Sequence, residues 1–357
     1  VEARAGALPK VEAQREKAQR WLFPSASAAD GKLTRRRVAQ ILETAAALGP
    51  METVCDLFSG TSRVGRAFKE QGCFVHANDA LDYAYVVAKA LVAADARDYP
   101  RAVVEPWIDR LNALPDVDGW YTQTFCRDAR YFQPASGMRI DAIRPVINEV
   151  EDVGLKAILL TSLLLAADRV DSTTAVQMAY LKRWSDRSFH PLQLQMPPLL
   201  AGAGRASMVD ALKLKVSADL VYLDPPYNNH SYLGNYHVWQ TICLDDRPET
   251  YGIANKRTDC RTIKSPFNLK VQAVDAMRTV ISNLDSKFLM ISFNNEGHIS
   301  LEEMEEMLHG FGRLTRHERA HKRYIGSQIG IHNLLGVKVG TVSHTSNREF
   351  LFVVERA

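Results

Sequence analysis

The sequence predicts a doubly wound α/β fold with a mostly parallel sheet and a mainly helical insertion. Three observations support this prediction. Strand and helix patterns alternate both before residue 82 and after residue 204. Helical stretches and proline-bearing loops dominate the range between those two positions. The chain then finishes in strands punctuated by glycines, for which we expect a C-terminal antiparallel hairpin. Together these features indicate a Rossmann-like sheet that is interrupted once.

The first strand–helix–strand unit sets the direction of the sheet. Residues Glu52 to Phe58 are typical of a strand, Ser59 to Glu70 of a helix entered through a glycine, and Cys73 to Asp79 of a second strand. At this length, such a unit predicts two parallel strands joined by a right-handed crossover. The insertion is expected to contain helices at Leu81 to Ala94, Ala142 to Val170 and Thr174 to Arg183.

Strand patterns return after the insertion. They lie at Ala206 to Asp210, at "ADLVYLD" from Ala218, and at Lys287 to Asn295. The helix that follows begins with Ser300 and Glu303, which are spaced as a capping box. These patterns complete the predicted sheet.

The composition is that of an ordinary globular protein. Of the 357 residues, 46% are hydrophobic and 24% are charged, and the formal net charge is +3. That charge permits a nucleic-acid partner, but only a clustered basic face would argue for one. The five cysteines are scattered without a C-x-x-C pair, which argues against a zinc module or a disulfide framework. We therefore expect no metal site.

Two further observations bear on the compartment. No apolar run reaches membrane-spanning length, and no signal peptide is recognisable. Together with the unpaired cysteines, these features predict a protein of the reducing cytosol with no membrane partner.

A glycine-bearing turn follows the first predicted strand. The stretch "DLFSGTSRVG" runs from Asp56 to Gly65 and places an accessible backbone turn where an open parallel sheet binds nucleotide-like ligands. Asp79 ends the next strand and is placed to accept hydrogen bonds from two ribose hydroxyls. There is no G-x-G-x-x-G and no phosphate-binding lysine, so a nucleoside without phosphates fits better than a dinucleotide.

The stretch "ADLVYLDPPYNNH" is the most specific feature of the sequence. A strand's carboxyl end projects into the ligand crevice, so Asp224, Pro225, Pro226 and Tyr227 are expected to face it. The two prolines stiffen the loop. Asp224 and the Pro225 carbonyl then form two acceptors beside an aromatic face, which suits a planar base that carries an –NH2 group.

These two motifs resemble the adenine-N6 DNA methyltransferases that use S-adenosylmethionine, and within them the group of the Dam and FokI modification enzymes. "RIDAIR" at Arg139, "AYLKRW" at Ala179, "SFNNEGHIS" at Ser292 and "REFLFV" at Arg348 are also similar to that group. The likeness extends over roughly residues 53 to 354. It implies a site-specific enzyme that methylates the N6 amine of an adenine rotated out of duplex DNA.

The resemblance also assigns parts of the chain. Residues 51–81 and 205–357 would form the catalytic domain that binds S-adenosylmethionine, and residues 82–204 the DNA target-recognition insertion. Residues 1–50 would be a helical segment that packs on the core. The cofactor would contact a set of residues drawn mainly from the turn and the strand ends: Asp56, Phe58, Ser59, Gly60, Asp79, Asp210 and Lys32.

Two positions depart from the family pattern. Ser62 stands where the first motif often has a second glycine. The usual N-terminal glycine–lysine segment is hard to find, and Gly31-Lys32 is the best candidate.

Basic and loop residues supply the predicted DNA contacts. Lys182, Arg183 and Arg187 would serve phosphates or guanines, and Lys322 and Arg323 a second phosphate contact. Basic residues at a helix end that only faces solvent would give the same sequence pattern. Asn228, His230 and Tyr232 would form a loop that closes over the target base.

Other functions remain open at this level. The same fold could methylate cytosine-N4 or an RNA adenine, although Asp224 favours adenine. A DNA-binding module with an inactive pocket is disfavoured by the intact Asp79, Asp210 and Tyr227. A restriction endonuclease partner would be equally compatible with the sequence, as would a solitary methylase. Modification of one base at a time suits a monomer.

Overall fold

The computed structural model describes residues 28–173, 176–177, 180–181, 183–322, 331–332, 338–340 and 346–356. The chain divides into two compact units. The first comprises Val1–Ala211 with Ser231–Lys264, and the second Leu212–His230 with Ser265–Ala357. These units group residues by contact and not by role, so the functional division at residues 82–204 stays a prediction.

The elements follow one another in the predicted alternation. The helices of the described residues are α1 Ala28–Ala47, α2 Arg63–Glu70, α3 Asp82–Ala88, α4 Arg101–Asn112, α5 Trp120–Thr122, α6 Pro134–Asn148, α7 Val153–Val170, α8 Tyr232–Asn235, α9 His237–Leu244, α10 Ala273–Ser282 and α11 Leu301–His309. The strands are β1 Thr53–Asp56, β2 Phe74–Asn78, β3 Gly204–Ser207, β4 Val216–Leu223, β5 Thr250–Tyr251, β6 Lys256–Arg257, β7 Leu284–Asn294, β8 Arg313–Lys322, β9 Ile331–His332, β10 Lys338–Gly340 and β11 Ser346–Glu355.

The principal sheet of the described residues has seven strands. In the first unit, β2 lies between β1 and β3 and is parallel to both, with Cys55 opposite His76 and His76 opposite Arg205. The carboxyl ends of these strands therefore lie at one edge of the sheet, where ligands bind in open α/β folds. The expected doubly wound, mostly parallel arrangement is confirmed.

The second unit carries the other four strands in the order β4–β7–β11–β8. Strand β7 is parallel to β4 and antiparallel to β11, and β11 is antiparallel to β8. The C-terminal antiparallel hairpin is thus confirmed. The predicted capping box is also present, because the Ser300 hydroxyl accepts from the Glu303 N–H and the Glu303 carboxylate accepts from the Ser300 N–H.

Helices of the insertion share one apolar core with α9. Residues of α3, α4, α6 and α7 pack together with Val238, Trp239 and Ile242 of α9. Helix α7 is buried on nearly all sides, as its apolar sequence requires. None of the helices in the described residues is long and apolar enough to span a membrane.

Two details of the predicted helices were wrong. The helix expected over Ala142 to Val170 is broken between α6 and α7, because the Asp152 carboxylate caps α7 by accepting the Leu155 N–H at 2.6 Å. The helix expected over Thr174 to Arg183 does not form in the described residues of that range, which are turn or irregular.

A buried lysine anchors the turn that ends α3. Residues Lys89–Ala93 form a π-turn that continues α3. The Lys69 ammonium donates to the carbonyl oxygens of Val92 and Ala94 at 2.8 and 2.7 Å. The backbone of Gly204 packs closely against the Val92 carbonyl group, because a Cβ on Gly204 would lie 2.3 Å from the Val92 oxygen. The wide turn, the lysine and the glycine therefore meet at one carbonyl group.

Candidate functional site

The turn after β1 forms a candidate ligand site within the first unit. Gly60 and Ser62 adopt φ angles of +49° and +56°, both in the left-handed region. The Ser59 N–H donates to the Asn78 carbonyl oxygen at 2.9 Å, which ties the turn to β2. The left-handed backbone explains why glycine is common at the position of Ser62, because a side chain there costs about 1–2 kcal/mol.

Asp56 supports this turn from below. Its carboxylate is buried and accepts the Gly65 N–H at 2.8 Å, at the start of α2. A Cβ at Gly65 would lie only 3.0 Å from the same carboxylate oxygen, so glycine permits the close approach. The structure gives Asp56 this supporting role, and its direct contact with a cofactor stays a prediction.

Asp79 joins the turn to the end of β2. Its Oδ2 accepts the Gly60 N–H at 2.9 Å, and its Oδ1 accepts the Leu81 N–H at 3.0 Å. Burial raises the pKa of this carboxyl above its ordinary value, against the opposing effect of these backbone hydrogen bonds. A carboxylate can accept about four hydrogen bonds, so lone pairs remain for hydroxyl donors.

A buried polar network beneath Asp79 was missed by the sequence reasoning. The Asn78 amide donates to the carbonyl oxygens of Leu57 and Val209, at 3.3 and 2.9 Å. Its Oδ1 accepts from the Ser207 hydroxyl at 2.7 Å. Asn78 therefore fixes the strand end that leads to Asp210. The polar residues within the otherwise apolar stretch "FVHAN" were the available signal.

His76 completes this network as a neutral side chain. Its Nε2 lies 2.7 Å from the Ser207 hydroxyl oxygen. Because Ser207 donates its own proton to Asn78, the His76 Nε2 must carry a proton and donate it. Burial lowers the pKa of His76 to about 4, in agreement with a neutral ring.

A separate candidate site is the corner that follows β4, within the second unit. Pro225 is buried, whereas Asp224, Pro226 and Tyr227 are half-buried. The Tyr227 carbonyl oxygen accepts the His298 N–H at 2.7 Å. The backbone after β7 can approach this closely because Gly297 has no side chain, since a Cβ there would lie 3.3 Å from the Tyr227 oxygen.

Asn268 braces the loop after this corner. Its side-chain amide donates to the carbonyl oxygens of Asn228 and His230, at 2.7 and 3.1 Å. The main-chain carbonyl oxygen of Asn268 lies 3.2 Å from the His298 Nε2. Asn268 is buried, and it holds the main chain of the stretch that follows Tyr227. Sequence reasoning missed both bracing residues, although His298 lies in the noted stretch "SFNNEGHIS".

The predicted DNA-contact residues are placed unevenly. His230 and Arg183 are exposed, Asn228 is half-buried, and Tyr232 is 40% exposed. Arg187 is instead engaged within the protein, where it forms an ion pair with the buried Asp171 carboxylate. Lys182 and Arg323 lie outside the described residues, as do the side chains of Lys322 and Lys32. The DNA contacts therefore stay predictions.

A surface cleft of about 520 Å³ lies between α10 and α11 of the second unit. No predicted site residue belongs to its lining, which consists of Val274, Arg278, Glu303, Glu306, Met307, Gly310 and Phe311.

The family of the chain follows from its match to known proteins. Residues 38–307 match the family described as D12 class N6 adenine-specific DNA methyltransferase. The chain belongs to this family. The resemblance inferred from the D-P-P-Y motif is thereby confirmed. Enzymes of the D12 class use S-adenosylmethionine as methyl donor.

Three relatives show how much of a D12 enzyme this chain represents. The modification methylase StsI of Streptococcus sanguinis is 31% identical over 281 residues, which cover 74% of this chain and 43% of StsI. The type II methyltransferase M.NlaIII of Neisseria lactamica is 31% identical over 76% of this chain and 83% of its own. M.FokI of Planomicrobium okeanokoites is 29% identical over 72% and 42%. The chain thus spans less than half the length of StsI and M.FokI.

The residues at the turn after β1 fit the D12 cofactor. The hydroxyl groups of Ser59 and Ser62 are buried and have no hydrogen-bond partner among the described residues. Buried polar groups without partners are rare and point to a missing ligand. Asp79 has acceptor capacity beside them, Phe58 is half-buried in the same turn, and Asp210 is exposed just beyond β3. A nucleoside with free hydroxyls suits this set.

Proposed function

We propose that this protein transfers a methyl group from S-adenosylmethionine to the N6 amine of an adenine in duplex DNA. The observation that carries the proposal is the D-P-P-Y corner in a D12-class chain, with its main chain held at Tyr227 by His298 and its following loop held by Asn268. A rigid corner of this kind can present two acceptors to one amine without rearranging during the reaction.

Asp224 and the Pro225 carbonyl would act on the target amine. The lone pair of an aromatic amine is delocalised into the ring, which makes the nitrogen a poor nucleophile. When each acceptor takes a hydrogen bond from one of the two amine hydrogens, the nitrogen is drawn towards tetrahedral geometry and its lone pair is localised. When bound, S-adenosylmethionine supplies an electrophilic methyl group on a sulfonium, so positioning and electrostatics perform the catalysis.

Tyr227 would receive the base outside the helix. Rotating an adenine out of the duplex costs a few kcal/mol. Stacking on an aromatic ring returns about 1–3 kcal/mol, and it does so for any base. Pro226 stiffens the corner beside this ring. Recognition of the DNA sequence must therefore come from other residues, which we place in the insertion at residues 82–204.

The turn after β1 would hold the cofactor. Asp79 accepts the ribose hydroxyls, while the Ser59 and Ser62 hydroxyls meet polar atoms of the ligand. Asp210 would lie near the adenine of the cofactor, and Phe58 and Gly60 would border its methionine and ribose. Lys32 is retained as the candidate for the methionine end.

The biological setting of the proposed enzyme is modification of host DNA. The named relatives are modification methylases and type II methyltransferases. Because one base is modified at each event, we expect the protein to act as a monomer, in the prokaryotic cytosol and associated with the nucleoid. A cognate restriction endonuclease would share its recognition sequence without binding to it.

The test is methyl transfer by the purified protein. Unmethylated plasmid DNA is incubated with S-adenosylmethionine carrying a labelled methyl group, and the DNA is then digested to nucleosides. We expect the label in N6-methyladenine. Label in N4-methylcytosine, transfer to RNA in preference to DNA, or DNA binding without transfer would each contradict the proposal. Sequencing the methylated DNA would then give the recognition sequence.

A further inference from the structure

A short hairpin in the first unit follows the loop beyond Tyr232. Strands β5 and β6 pair with Thr250 opposite Arg257. The turn between them is closed by a hydrogen bond from the Asn255 N–H to the Gly252 carbonyl oxygen at 3.1 Å. Gly252 and Asn255 have φ angles of +69° and +43°, which suits these two residue types. The turn places Ile253 at its tip.

The tip of the hairpin is anchored to the helical part of the first unit. The Tyr131 hydroxyl lies 2.8 Å from the Ala254 carbonyl oxygen, and the Tyr180 hydroxyl donates to the Ile253 carbonyl oxygen at 3.2 Å. The Asn255 side-chain amide donates to the Thr124 carbonyl oxygen at 2.8 Å. Two hydrogen bonds to its carbonyl oxygens and one from the Asn255 side chain therefore hold the four-residue turn.

The base of the hairpin is held equally firmly. Arg257 is only 4% exposed, and its two NH groups lie 2.7 Å from the two carboxylate oxygens of Asp246. One of them also donates to Asp259 at 2.8 Å. These two acids share one buried guanidinium, so the three side chains together keep one negative charge. These contacts hold the backbone of the hairpin at both ends, so they fix the positions from which its outer side chains project.

Two side chains of this hairpin take no part in the anchoring contacts seen among the described residues. Ile253 is 84% exposed, although the turn beneath it is fixed. Lys256 is half-buried, and its ammonium has no hydrogen-bond or ion-pair partner in the described part of the chain. Its Nζ lies beside α8, 3.9 Å from where a Cβ on Gly234 would stand. Burial lowers the pKa of Lys256, so a nearby anion would stabilise its charged form.

The charges around the hairpin favour an anionic partner. Arg247, Arg261 and Lys264 are exposed in the same segment, and Arg261 lies 3.8 Å over the ring of Tyr251. Among the segment's acids, Asp246 and Asp259 are paired with Arg257, and Asp245 accepts from Tyr121 and Asn148. Glu249 is exposed and offsets one cation. Across residues 245–264, five cations and four acids leave a net charge of +1, and the exposed cations lie in the same segment as the apolar Ile253.

We propose that the hairpin from Thr250 to Arg257 is a DNA-contact element, in which Lys256 binds a backbone phosphate and Ile253 packs against base edges in a groove. The inference rests on the proposed function, since it names DNA as the partner. A lone exposed isoleucine is common on protein surfaces. Here it stands on an anchored turn, beside an unpaired cation and next to Tyr180 of the stretch "AYLKRW". That position extends the predicted recognition surface to a segment that the motifs did not indicate.

The two side chains make different and separable contributions. A phosphate contact releases counterions, so its loss weakens binding to all sequences and lowers the salt dependence. At 0.15 M salt, removal of one such contact weakens binding about five-fold. An apolar contact with base edges carries no counterion release, so its loss weakens binding without changing the salt dependence.

The experiment measures binding of a fluorescent 30-base-pair duplex to the full chain by anisotropy between 0.05 and 0.3 M salt. We expect Lys256→Gln to bind about five-fold more weakly, with the slope of log K against log salt reduced by about one. Ile253→Ser should weaken binding to an unmethylated duplex that contains the recognition sequence about tenfold, with the slope unchanged. Val271→Ser and Lys215→Gln are the matched controls, because Val271 is 88% exposed and Lys215 is exposed outside this segment.

Thermal unfolding checks that both variants remain folded, which is expected because neither side chain has a partner to lose. Wild-type affinity and slope in both variants would overturn the inference. Loss of self-association in place of DNA binding, seen by light scattering, would also overturn it and assign the hairpin to a dimer. Wild-type protein that binds the duplex but transfers no methyl group would refute the proposed function alone.

Discussion

The Gly60 N–H donates to Oδ2 of Asp79 at 2.9 Å, so the turn after β1 and the acid after β2 form a single unit. Neither part can move without the other. The buried network of Asn78 and Ser207 lies directly before this acid and ties its strand to both neighbours. The turn after β1 and Asp79 are therefore already ordered before any ligand binds, which lowers the entropic cost of cofactor binding.

Cofactor binding is expected to depend on the ionisation of Asp79. Ribose hydroxyls donate to the ionised carboxylate, whereas burial raises the pKa of Asp79 in the free protein. Affinity for S-adenosylmethionine should therefore fall as the pH decreases through this raised pKa, which lies above the ordinary value of about 3.9. Titration calorimetry at a series of pH values from neutral down towards that ordinary value measures the effect.

Asp79→Asn is the control for this dependence. It should bind the cofactor on the order of 100-fold more weakly, because charge-assisted hydrogen bonds are lost. Its affinity should no longer vary with pH over that range. An equally pH-dependent variant would show that another group titrates.

Removal of the carboxylate at the D-P-P-Y corner should separate binding from transfer. Asp224→Ala is expected to reduce the rate of methyl transfer at least about 100-fold, since one of the two acceptors on the amine is lost. S-adenosylmethionine should still bind with near wild-type affinity, because the cofactor turn is intact. Single-turnover transfer and calorimetry are the two measurements. Transfer at the wild-type rate would remove Asp224 from the mechanism.

The brace formed by Asn268 should affect DNA use more than cofactor use. Asn268→Asp keeps the shape of the side chain but replaces its donor by an acceptor, which then faces the carbonyl oxygens of Asn228 and His230. We expect kcat/KM for DNA to fall about tenfold or more, mainly through KM, with unchanged cofactor affinity. Asn283→Asp, at an amide that donates to the Leu212 carbonyl oxygen, controls for a general loss of stability. Equal effects in both variants would indicate that Asn268 only stabilises the fold.

Lys69 predicts a rise in stability at alkaline pH. Burial lowers the pKa of this ammonium to about 8, whereas the unfolded chain titrates near 10.4. Between these values the unfolded state binds more protons, so the free energy of unfolding should increase with pH. The neutral amine still has two hydrogens for the carbonyl oxygens of Val92 and Ala94. Urea denaturation at several pH values should show this rise in the wild type and lose it in Lys69→Met. Parallel pH curves for the two proteins would contradict the prediction.

Local patterns allowed much of the fold to be predicted. The capping box at Ser300 and the strand that ends just before Asp224 depend on neighbouring residues, so the sequence displays them directly. The spacing of Gly60 and Asp79 also indicated a ligand site, because parallel strands place their carboxyl ends together. All three features depend on residues that are close together in the sequence.

Features that depend on distant partners could not be predicted. Asn268 follows Asn228 by forty residues, and nothing in either stretch shows that they meet. Arg187 was assigned to DNA as part of a basic stretch, yet the structure pairs it with the buried Asp171 carboxylate. A charge run does not show which of its members face solvent. The break between α6 and α7 was missed because the apolar pattern continues across it.

The carbonyl group of Val92 has a consequence for related sequences. It is reached by the Lys69 ammonium and lies against the backbone of Gly204, at the end of a turn with one extra residue. A homologue that deletes that extra residue would remove this acceptor, which would relax one constraint on residue 69 and the tightest one on residue 204. Among relatives, a one-residue gap near position 90 should therefore be inherited together with a non-lysine at 69 and a larger residue at 204.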